Sequence, residues 1–268
     1  MPTSRSHSPV DACWLGSVPY REAWELQRAL VTGIRAGRVP ETLLLLEHPH
    51  VFTMGRGGVA EHLLWSETER RGRAVELVWS DRGGDATYHG PGQLVGYPLL
   101  DLRTRGRDVL AYLRNLERSL IAFLAGLGIQ SAPGGPGLTG VWVPDHGQER
   151  KLAAIGVKLS HWITSHGFAL NLSSDLGYFE GIVACGLEGR SPTSLERLTG
   201  RLVETEAAAR AYAPSFAAVF ASELTWRDSK DVWSEAASSA PSPGLEVARE
   251  QASPLLNPSL PARRGDNP

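Results

Sequence analysis

The chain has 268 residues, of which 42% are hydrophobic and 21% are charged. This is ordinary globular composition, with enough residues for one large domain or two small ones. The formal net charge of −2 argues against a nucleic-acid partner, because proteins that bind nucleic acid carry a clear basic excess. The two cysteines, Cys13 and Cys185, are too few and too far apart for the disulfide framework of a secreted protein.

The first elements in chain order indicate a cytoplasmic protein. Residues 1–10 are polar and contain no apolar segment of a secretion signal, so they are predicted to be a flexible leader. A helix is predicted from Pro19 to about Arg35, where apolar residues recur at helical spacing. The longest aliphatic run, Leu43–Leu46, is too short to cross a bilayer. We therefore expect a soluble protein of the cytoplasm.

Further along, strands and helices alternate unevenly. An apolar stripe predicts a helix over Asp108–Leu124, ended by Gly126, and a last helix is predicted over Val203–Leu224 with a kink at Pro214. Short apolar runs bounded by turn residues predict strands, at Thr42–Glu47, Val51–Met54, Val75–Trp79, Leu94–Leu102, Gly140–Val143, Leu152–Ser160 and Ile163–Leu172. Short connections between neighbouring strands favour an α+β fold over a doubly wound sheet.

The composition changes near the C-terminus. Six prolines lie between Pro241 and Pro268, among Ser, Ala and Arg and without an apolar period. Such a segment buries too little apolar surface to offset its chain entropy. Residues 227–268 are therefore predicted to be a disordered tail.

The segment from Arg82 to Leu94 has the composition of a binding loop. Two adjacent glycines, Gly83 and Gly84, allow close backbone approach to a ligand. Arg82 could bind a carboxylate or phosphate, and Thr87, His89 and Gln93 add hydrogen-bonding groups. The alternative is a hairpin loop whose histidine and glutamine only satisfy backbone groups. The concentration of polar and glycine residues in a dozen positions favours the binding loop.

A second segment, Lys151–Lys158, reads as a strand. Side chains alternate between the faces of a strand, so Lys151 should share the buried face with Ile155 and Val157, while Lys158 points to solvent. A buried lysine is costly unless its charge is used. The alternative is a lysine that reaches solvent from the strand end.

The only other cysteine besides Cys13 lies in the segment Ile182–Leu187. Cysteine is more often an inert small apolar residue than a nucleophile, and a reactive thiolate needs a nearby cation, since a free thiol has a pKa of about 8.5. Lys151 would supply that cation if the fold brings it to Cys185. The segment His166–Asn171 is by itself best read as a core strand.

Metal and nucleotide sites have little support. The segment Glu47–His50 has the composition of a metal cluster, but no second ligand pair follows it and HExxH is absent. The glycine-rich segments match neither GxxxxGK[ST] nor GxGxxG.

The chain resembles the octanoyltransferases of lipoate biosynthesis over residues 11–226. The resemblance rests on four sets of residues, which are Arg82-Gly83-Gly84 with Thr87, His89, Gly92 and Gln93; Lys151 with Ala154-Ile155-Gly156; His166 to Asn171; and Cys185-Gly186. The family is similar in fold to the catalytic domains of biotin- and lipoate-protein ligases, so the resemblance implies a mixed β-sheet flanked by helices. It makes residues 11–226 the acyltransferase domain.

The resemblance also implies an activity. The chain would transfer octanoyl from octanoyl-acyl carrier protein to a lysine of lipoyl domains, in 2-oxoacid dehydrogenase E2 subunits and glycine-cleavage H protein, without cofactor or metal. Cys185 would be the nucleophile, and Lys151 would lower its pKa and transfer protons. The walls of the acyl site would be Arg82, Gly83, Gly84, Asp85, Ala86, Thr87, Tyr88, His89, Ala154, Ile155, Gly156, Gly167, Phe168 and Ala169. Two alternatives are an ATP-dependent lipoate- or biotin-protein ligase, and a non-catalytic module that binds lipoyl domains or acyl carrier protein.

Overall fold

The computed structural model describes residues 9–135, 138–145, 147–184 and 191–239. Its helices are α1 (Tyr20–Arg35), α2 (Glu67–Gly72), α3 (Val109–Gly126), α4 (Leu195–Thr199), α5 (Thr205–Phe220) and α6 (Ser229–Ser239). Its strands are β1 (Val10–Ser17), β2 (Glu41–Glu47), β3 (Val51–Met54), β4 (Glu76–Trp79), β5 (Ala86–His89), β6 (Gln93–Leu99), β7 (Ala132–Pro133), β8 (Val141–Asp145), β9 (Gln148–Ser160), β10 (Ile163–Asn171) and β11 (Leu224–Trp226). Two 3₁₀ turns lie at Ala60–His62 and Leu176–Gly181.

The strands form two sheets. The larger has eight strands in the order β11-β1-β2-β6-β10-β9-β8-β7, and the smaller has three in the order β4-β3-β5. β1 pairs in parallel with β2 and β11, whereas β2, β6, β10, β9 and β8 pair with one another antiparallel. The predicted mixed sheet flanked by helices is therefore confirmed.

The large sheet is covered by helices on both faces. Leu43 and Leu45 of β2 pack in one cluster with residues of α3 and α5, while Leu44 and Leu46 pack in another with residues of α1 and α6. Because successive side chains of a strand point to opposite faces, a strand buried on both sides is a continuous apolar run. This is why β2, an inner strand with both faces covered, is a continuous aliphatic run.

Most predicted elements are present, but several predictions in the described residues need correction. β1 begins at Val10, inside the segment predicted as leader, whose residues 1–8 lie outside the described part of the chain. The last predicted helix ends at Phe220, and Leu224 instead begins an edge strand beside β1. β5 was missed because its residues were interpreted as loop.

The predicted disordered tail begins too early. Residues Ser229–Ser239 form α6, with Val232 and Ala236 buried against the face that also carries Leu30 of α1. The sequence signal was weak because this buried stripe consists mainly of small residues rather than large aliphatic ones. Residues 240–268 of the predicted tail lie outside the described part of the chain.

Candidate active site

A cavity of about 330 Å³ lies between the loop before β5 and the strands β9 and β10. Thirteen of the predicted site residues line it, and they come from three separate stretches of sequence. They are Arg82, Gly83, Gly84, Ala86, Thr87, His89, Lys151, Ala154, Ile155, Gly156, Gly167, Phe168 and Ala169. The structure thus brings together most of the residues that the sequence singled out.

Two predicted wall residues are not part of this lining. Asp85 bonds the ring of His62 and accepts a hydrogen bond of 2.7 Å from the main-chain N–H of Ala86. Tyr88 alternates with Thr87 and His89 along β5, so it points to the opposite face and bonds His50 at 2.9 Å. Both therefore support the small sheet rather than the cavity wall.

Cys185 lies outside the described residues, so its contact with Lys151 stays a prediction. The residue before it, Ala184, lines the cavity and pairs with Ala86 of β5. The chain therefore reaches the cavity wall at Ala184, one residue before Cys185.

The two adjacent glycines bring the loop before β5 against β9. The main-chain N–H of Gly83 donates to Val157 O at 2.9 Å, and a Cβ placed on Gly156 would lie 2.9 Å from Gly83 O. Gly84 adopts φ +82°, a left-handed conformation that glycine adopts without strain. The close approach that the sequence predicted is therefore between the loop and β9.

Arg82 holds this loop to the small sheet. Its buried guanidinium donates to Thr53 O at 2.5 Å, to Thr53 Oγ1 at 2.8 Å and to Gly83 O at 3.0 Å. A buried cation with several hydrogen bonds fixes the geometry of the groups around it. These bonds assign Arg82 a role in shaping the wall, whereas the sequence had suggested that it could bind a carboxylate or phosphate.

Lys151 is half-buried on β9 beside a β-bulge. Trp142 of β8 pairs with Lys151 while its neighbour Val141 pairs with Ala153, so Leu152 is an extra residue in the strand. The bulge shifts the alternation by one, which puts Lys151 in phase with Ala154 rather than with Ile155. The predicted parity of Lys151 and Ile155 is therefore wrong, although both line the cavity.

The two lysines of β9 have different surroundings. The ammonium of Lys151 lies 5.0 Å from the ring centroid of Trp142, within the range of a cation–π interaction. Lys158 instead forms an ion pair with Asp81 and is partly exposed on a separate groove next to α1. Only Lys151 lines the cavity.

A buried cluster of tyrosine and histidine side chains forms another wall of the cavity. Tyr20, His89, Tyr97 and His166 line it, and His48 lies behind them. Sequence reasoning missed Tyr20 and Tyr97, and it assigned His48 no place in the acyl site. Tyr20 belongs to α1, His48 to the loop after β2, and Tyr97 to β6. No local sequence pattern relates these three residues.

Burial keeps these histidines neutral. It lowers the pKa of His48 to about 4, against the opposing effect of its Nδ1–H donating to Val18 O at 2.6 Å. The pKa of His89 is held well below its usual range by burial, and its Nδ1–H donates to Gln93 Oε1 at 2.8 Å. His48 Nε2 then accepts from the Tyr97 hydroxyl at 2.7 Å.

His166 and Asp81 are joined by a hydrogen bond that affects the pKa of both side chains. His166 Nε2–H donates to Asp81 Oδ1 at 2.7 Å, yet burial outweighs this bond and lowers the pKa of His166. Burial alone would raise the pKa of Asp81, but the hydrogen bonds from His166 and Lys158 hold it well below its usual range. Asp81 is therefore ionised beside a neutral His166.

Neither a metal cluster nor a membrane helix is found in the described part of the chain. No group of three or more His, Cys, Asp or Glu side chains there is arranged to hold a metal ion. His48 and His50 of the considered cluster bond Val18 and Tyr88 instead. No helix among these residues is long and apolar enough to span a bilayer.

Because several histidines are buried in the neutral form, the free energy of unfolding should fall in acid. The pKa of His48 is about 4 in the folded chain and about 6.5 when unfolded, so the unfolded state binds its proton first as the pH falls. Stability is therefore full above about pH 6.5 and is lost towards about pH 4, by about 3 kcal/mol for this residue. Urea unfolding between about pH 7 and about pH 4 measures this loss. His48→Gln should flatten the dependence, and an equal slope in that variant would contradict the assignment.

The described fold is that of the lipoate–protein ligases. The crystal structure of lipoate-protein ligase A bound with ATP matches with a TM-score of 0.67 at 15% identity, covering 86% of this chain and 93% of that chain. A bipartite lipoate protein ligase from Thermoplasma acidophilum matches with a TM-score of 0.65 at 16% identity, over 87% and 92% of the two chains. At such identities the likeness establishes the fold alone.

The sequence establishes the family. Residues 19–217 match the lipoyl protein ligase A/B catalytic domain, and the chain belongs to that family. An octanoyltransferase of Rubrobacter xylanophilus is 53% identical over 188 residues, which cover 69% of this chain and 82% of that protein. An octanoyltransferase of Solibacter usitatus is 49% identical over 210 residues, covering 78% and 92%. Within the family, the chain is an acyltransferase.

Proposed function

We propose that this acyltransferase moves an octanoyl group from octanoyl-acyl carrier protein to a lysine of lipoyl domains, through a thioester on Cys185. Identities of 53% and 49% to octanoyltransferases over most of their length support octanoyl transfer in lipoylation. One observation carries the mechanism. The half-buried Lys151 lines the same cavity as Ala184, the residue that precedes Cys185.

The cavity is suited to a medium-length fatty acyl chain. Leu113, Ile155 and Phe168 contribute apolar side chains, while Gly156 and Gly167 leave room beside them. Burying methylene groups against such walls is favourable by about 0.8 kcal/mol each.

In the first step the Cys185 thiolate attacks the octanoyl carbonyl. A carbon–sulfur bond forms to Cys185, the bond to the carrier sulfur breaks, and the carrier leaves as a thiolate that takes up a proton. In the second step the neutral amine of the acceptor lysine attacks the acyl-enzyme. The amide forms, the bond to Cys185 breaks, and the proton of the amine passes to solvent, or to Lys151 if Lys151 has given its own proton to the carrier thiolate in the first step.

Lys151 has two roles in this scheme. As a cation it stabilises the Cys185 thiolate, because a nearby positive charge lowers the pKa of a thiol. As a proton donor or acceptor it assists the amine in the second step. Each step exchanges one acyl bond for another, so ATP is not consumed, and a covalent intermediate predicts ping-pong kinetics. The acceptors would be the lipoyl domains of 2-oxoacid dehydrogenase E2 subunits and glycine-cleavage H protein.

Intact mass measurement after incubation with octanoyl-acyl carrier protein tests the proposal. We expect one octanoyl adduct that hydroxylamine removes, and no such adduct on Cys185→Ser. Addition of a lipoyl domain should move the octanoyl group to its lysine without ATP. Full turnover by Cys185→Ser would contradict the covalent scheme, strict ATP dependence would indicate a ligase, and absence of both adduct and transfer would indicate a binding module.

A further inference from the structure

We propose that Asn171 is a positioning residue that fixes the main chain of Lys151 in the active site, an inference that rests on the catalytic role proposed for Lys151. Asn171 belongs to a sequence motif of the chain but does not line the cavity. Its side chain is buried, at 4% exposure, and both of its amide groups are used.

The sheet is interrupted where Lys151 lies. The pairing of β10 with β9 ends at Leu170 and Ala153, and the next residue of β10, Asn171, pairs with Gln93 of β6. The bulge at Leu152 follows on the β9 side. Lys151 therefore lies beyond the last residue pair between β10 and β9. On the β10 side, the sheet alone does not fix the position of its main chain.

A separate segment takes the place of β10 beside Lys151. Pro192 pairs with Lys151 as an isolated parallel bridge, and the main-chain N–H of Thr193 donates to Lys151 O at 3.0 Å. Thr193 is fully buried. This segment is the direct neighbour of the Lys151 main chain.

Asn171 ties this segment to the sheet. Its Nδ2–H donates to Thr193 O at 3.0 Å, and its Oδ1 accepts from Gln93 Nε2–H at 2.9 Å. Gln93 Oε1 in turn accepts from His89, which lines the cavity. An unbroken series of buried hydrogen bonds thus runs from the cavity wall to the main chain of Lys151. Buried hydrogen-bond networks fix geometry, and here the amide groups of Gln93 and Asn171 all have partners.

If Asn171 has only a structural role, its replacement should have different kinetic effects than if it positions Lys151. Loss of packing alone would lower stability and leave the reactivity of Cys185 unchanged. Loss of positioning would move the Lys151 ammonium and so raise the pH at which Cys185 reacts. The charged groups on the elements near Lys151 include Glu117, Asp145, Glu149 and Arg150, and His89 is a neutral titratable group there, so a test variant should add no charge to this set.

Asn171→Leu removes both hydrogen bonds with little change in shape or charge. We expect kcat to fall about 10- to 100-fold, because a misplacement of about 1 Å of a group at the reaction site can cost about 100-fold in rate. The KM for octanoyl-acyl carrier protein should change much less, because the cavity lining is intact. The midpoint of Cys185 alkylation against pH should move upward. Should this variant fail to fold, Asn171→Ser, which is smaller, tests the same loss.

Ser119→Ala is the matched control. It removes the buried hydrogen bonds that Ser119 Oγ makes with the Tyr212 hydroxyl and with Leu116 O, each at 2.8 Å, and Ser119 lies outside the hydrogen-bond series from His89 to Thr193. It should lower stability and leave the pH profile unchanged. A folded Asn171 variant with the wild-type alkylation profile would overturn the inference. Failure of the wild-type chain to form an acyl adduct would instead overturn the proposed function.

Discussion

Replacing Lys151 with alanine should lower the rate of octanoyl transfer by about 10²–10⁴-fold, the range for loss of a positioned acid–base group. The alkylation rate of Cys185 at neutral pH should fall as well, and its midpoint should approach pH 8.5, about the pKa of a free thiol. Both effects follow from the half-buried position of Lys151 on the cavity wall. Turnover assays and iodoacetamide alkylation at a series of pH values measure them.

Alkylation reports on Cys185 because the other thiol is inert. Cys13 is fully buried in the core, and burial raises its pKa to about 11. Lys158→Ala is a matched control on the same strand, since Lys158 pairs with Asp81 and lines a separate groove. It should leave the alkylation profile of Cys185 nearly unchanged.

Lys151→Arg separates the two roles of the lysine. Arginine keeps the positive charge but does not transfer protons, because its pKa is above 12. Acyl-enzyme formation should then persist in part while amide formation is lost. An alkylation profile of Lys151→Ala identical to that of the wild-type chain would remove the proposed role in lowering the Cys185 pKa.

Replacing Gly156 with alanine should reduce octanoyl transfer by about 10- to 100-fold, because overpacking costs about 1–3 kcal/mol. The new Cβ would lie 2.9 Å from the main-chain oxygen of Gly83 and 3.4 Å from Arg82 Cδ. The main-chain oxygen of Gly83 cannot move without its loop, so either the cavity wall is displaced or the cavity becomes narrower. Shorter acyl donors should lose less rate than octanoyl, which steady-state kinetics with a series of acyl carrier proteins would measure.

Gly72→Ala provides the control for this substitution. Gly72 ends α2, and a Cβ there would meet no atom within 4 Å. The control should retain full activity with every donor. Equal losses for short and long donors in Gly156→Ala would contradict a role of Gly156 in the acyl-binding wall.

The fold could be predicted where a local pattern carries the information. The aliphatic run in β2 is buried on both faces, and the apolar stripe of α3 predicts its length to within a few residues. β1 was missed because its partly buried positions give no clean alternation, and α6 was missed because its buried stripe is made of small residues. In both cases tertiary contacts, rather than local preference, determine the structure.

In the candidate site, too, sequence motifs located some residues, whereas tertiary contacts alone bring others together. The resemblance to a known family located the loop at Arg82 and the strand at Lys151, and the structure brings both to one cavity. The Tyr20 and Tyr97 wall was not predictable, because distant residues meet there without a shared motif. Nor was the bulge at Leu152 visible, since it is defined by the register of β9 against β8.

The bulge at Leu152 divides β9 into two parts, in which side chains alternate between the faces of the sheet with different parity. Leu152 and Ala153 are consecutive, yet both lie in the same core cluster. The alternation of side chains between the two faces is therefore offset by one position across this pair. We therefore expect substitutions at Ile155 and Val157 to reshape the cavity from the face of β9 opposite to that of Lys151.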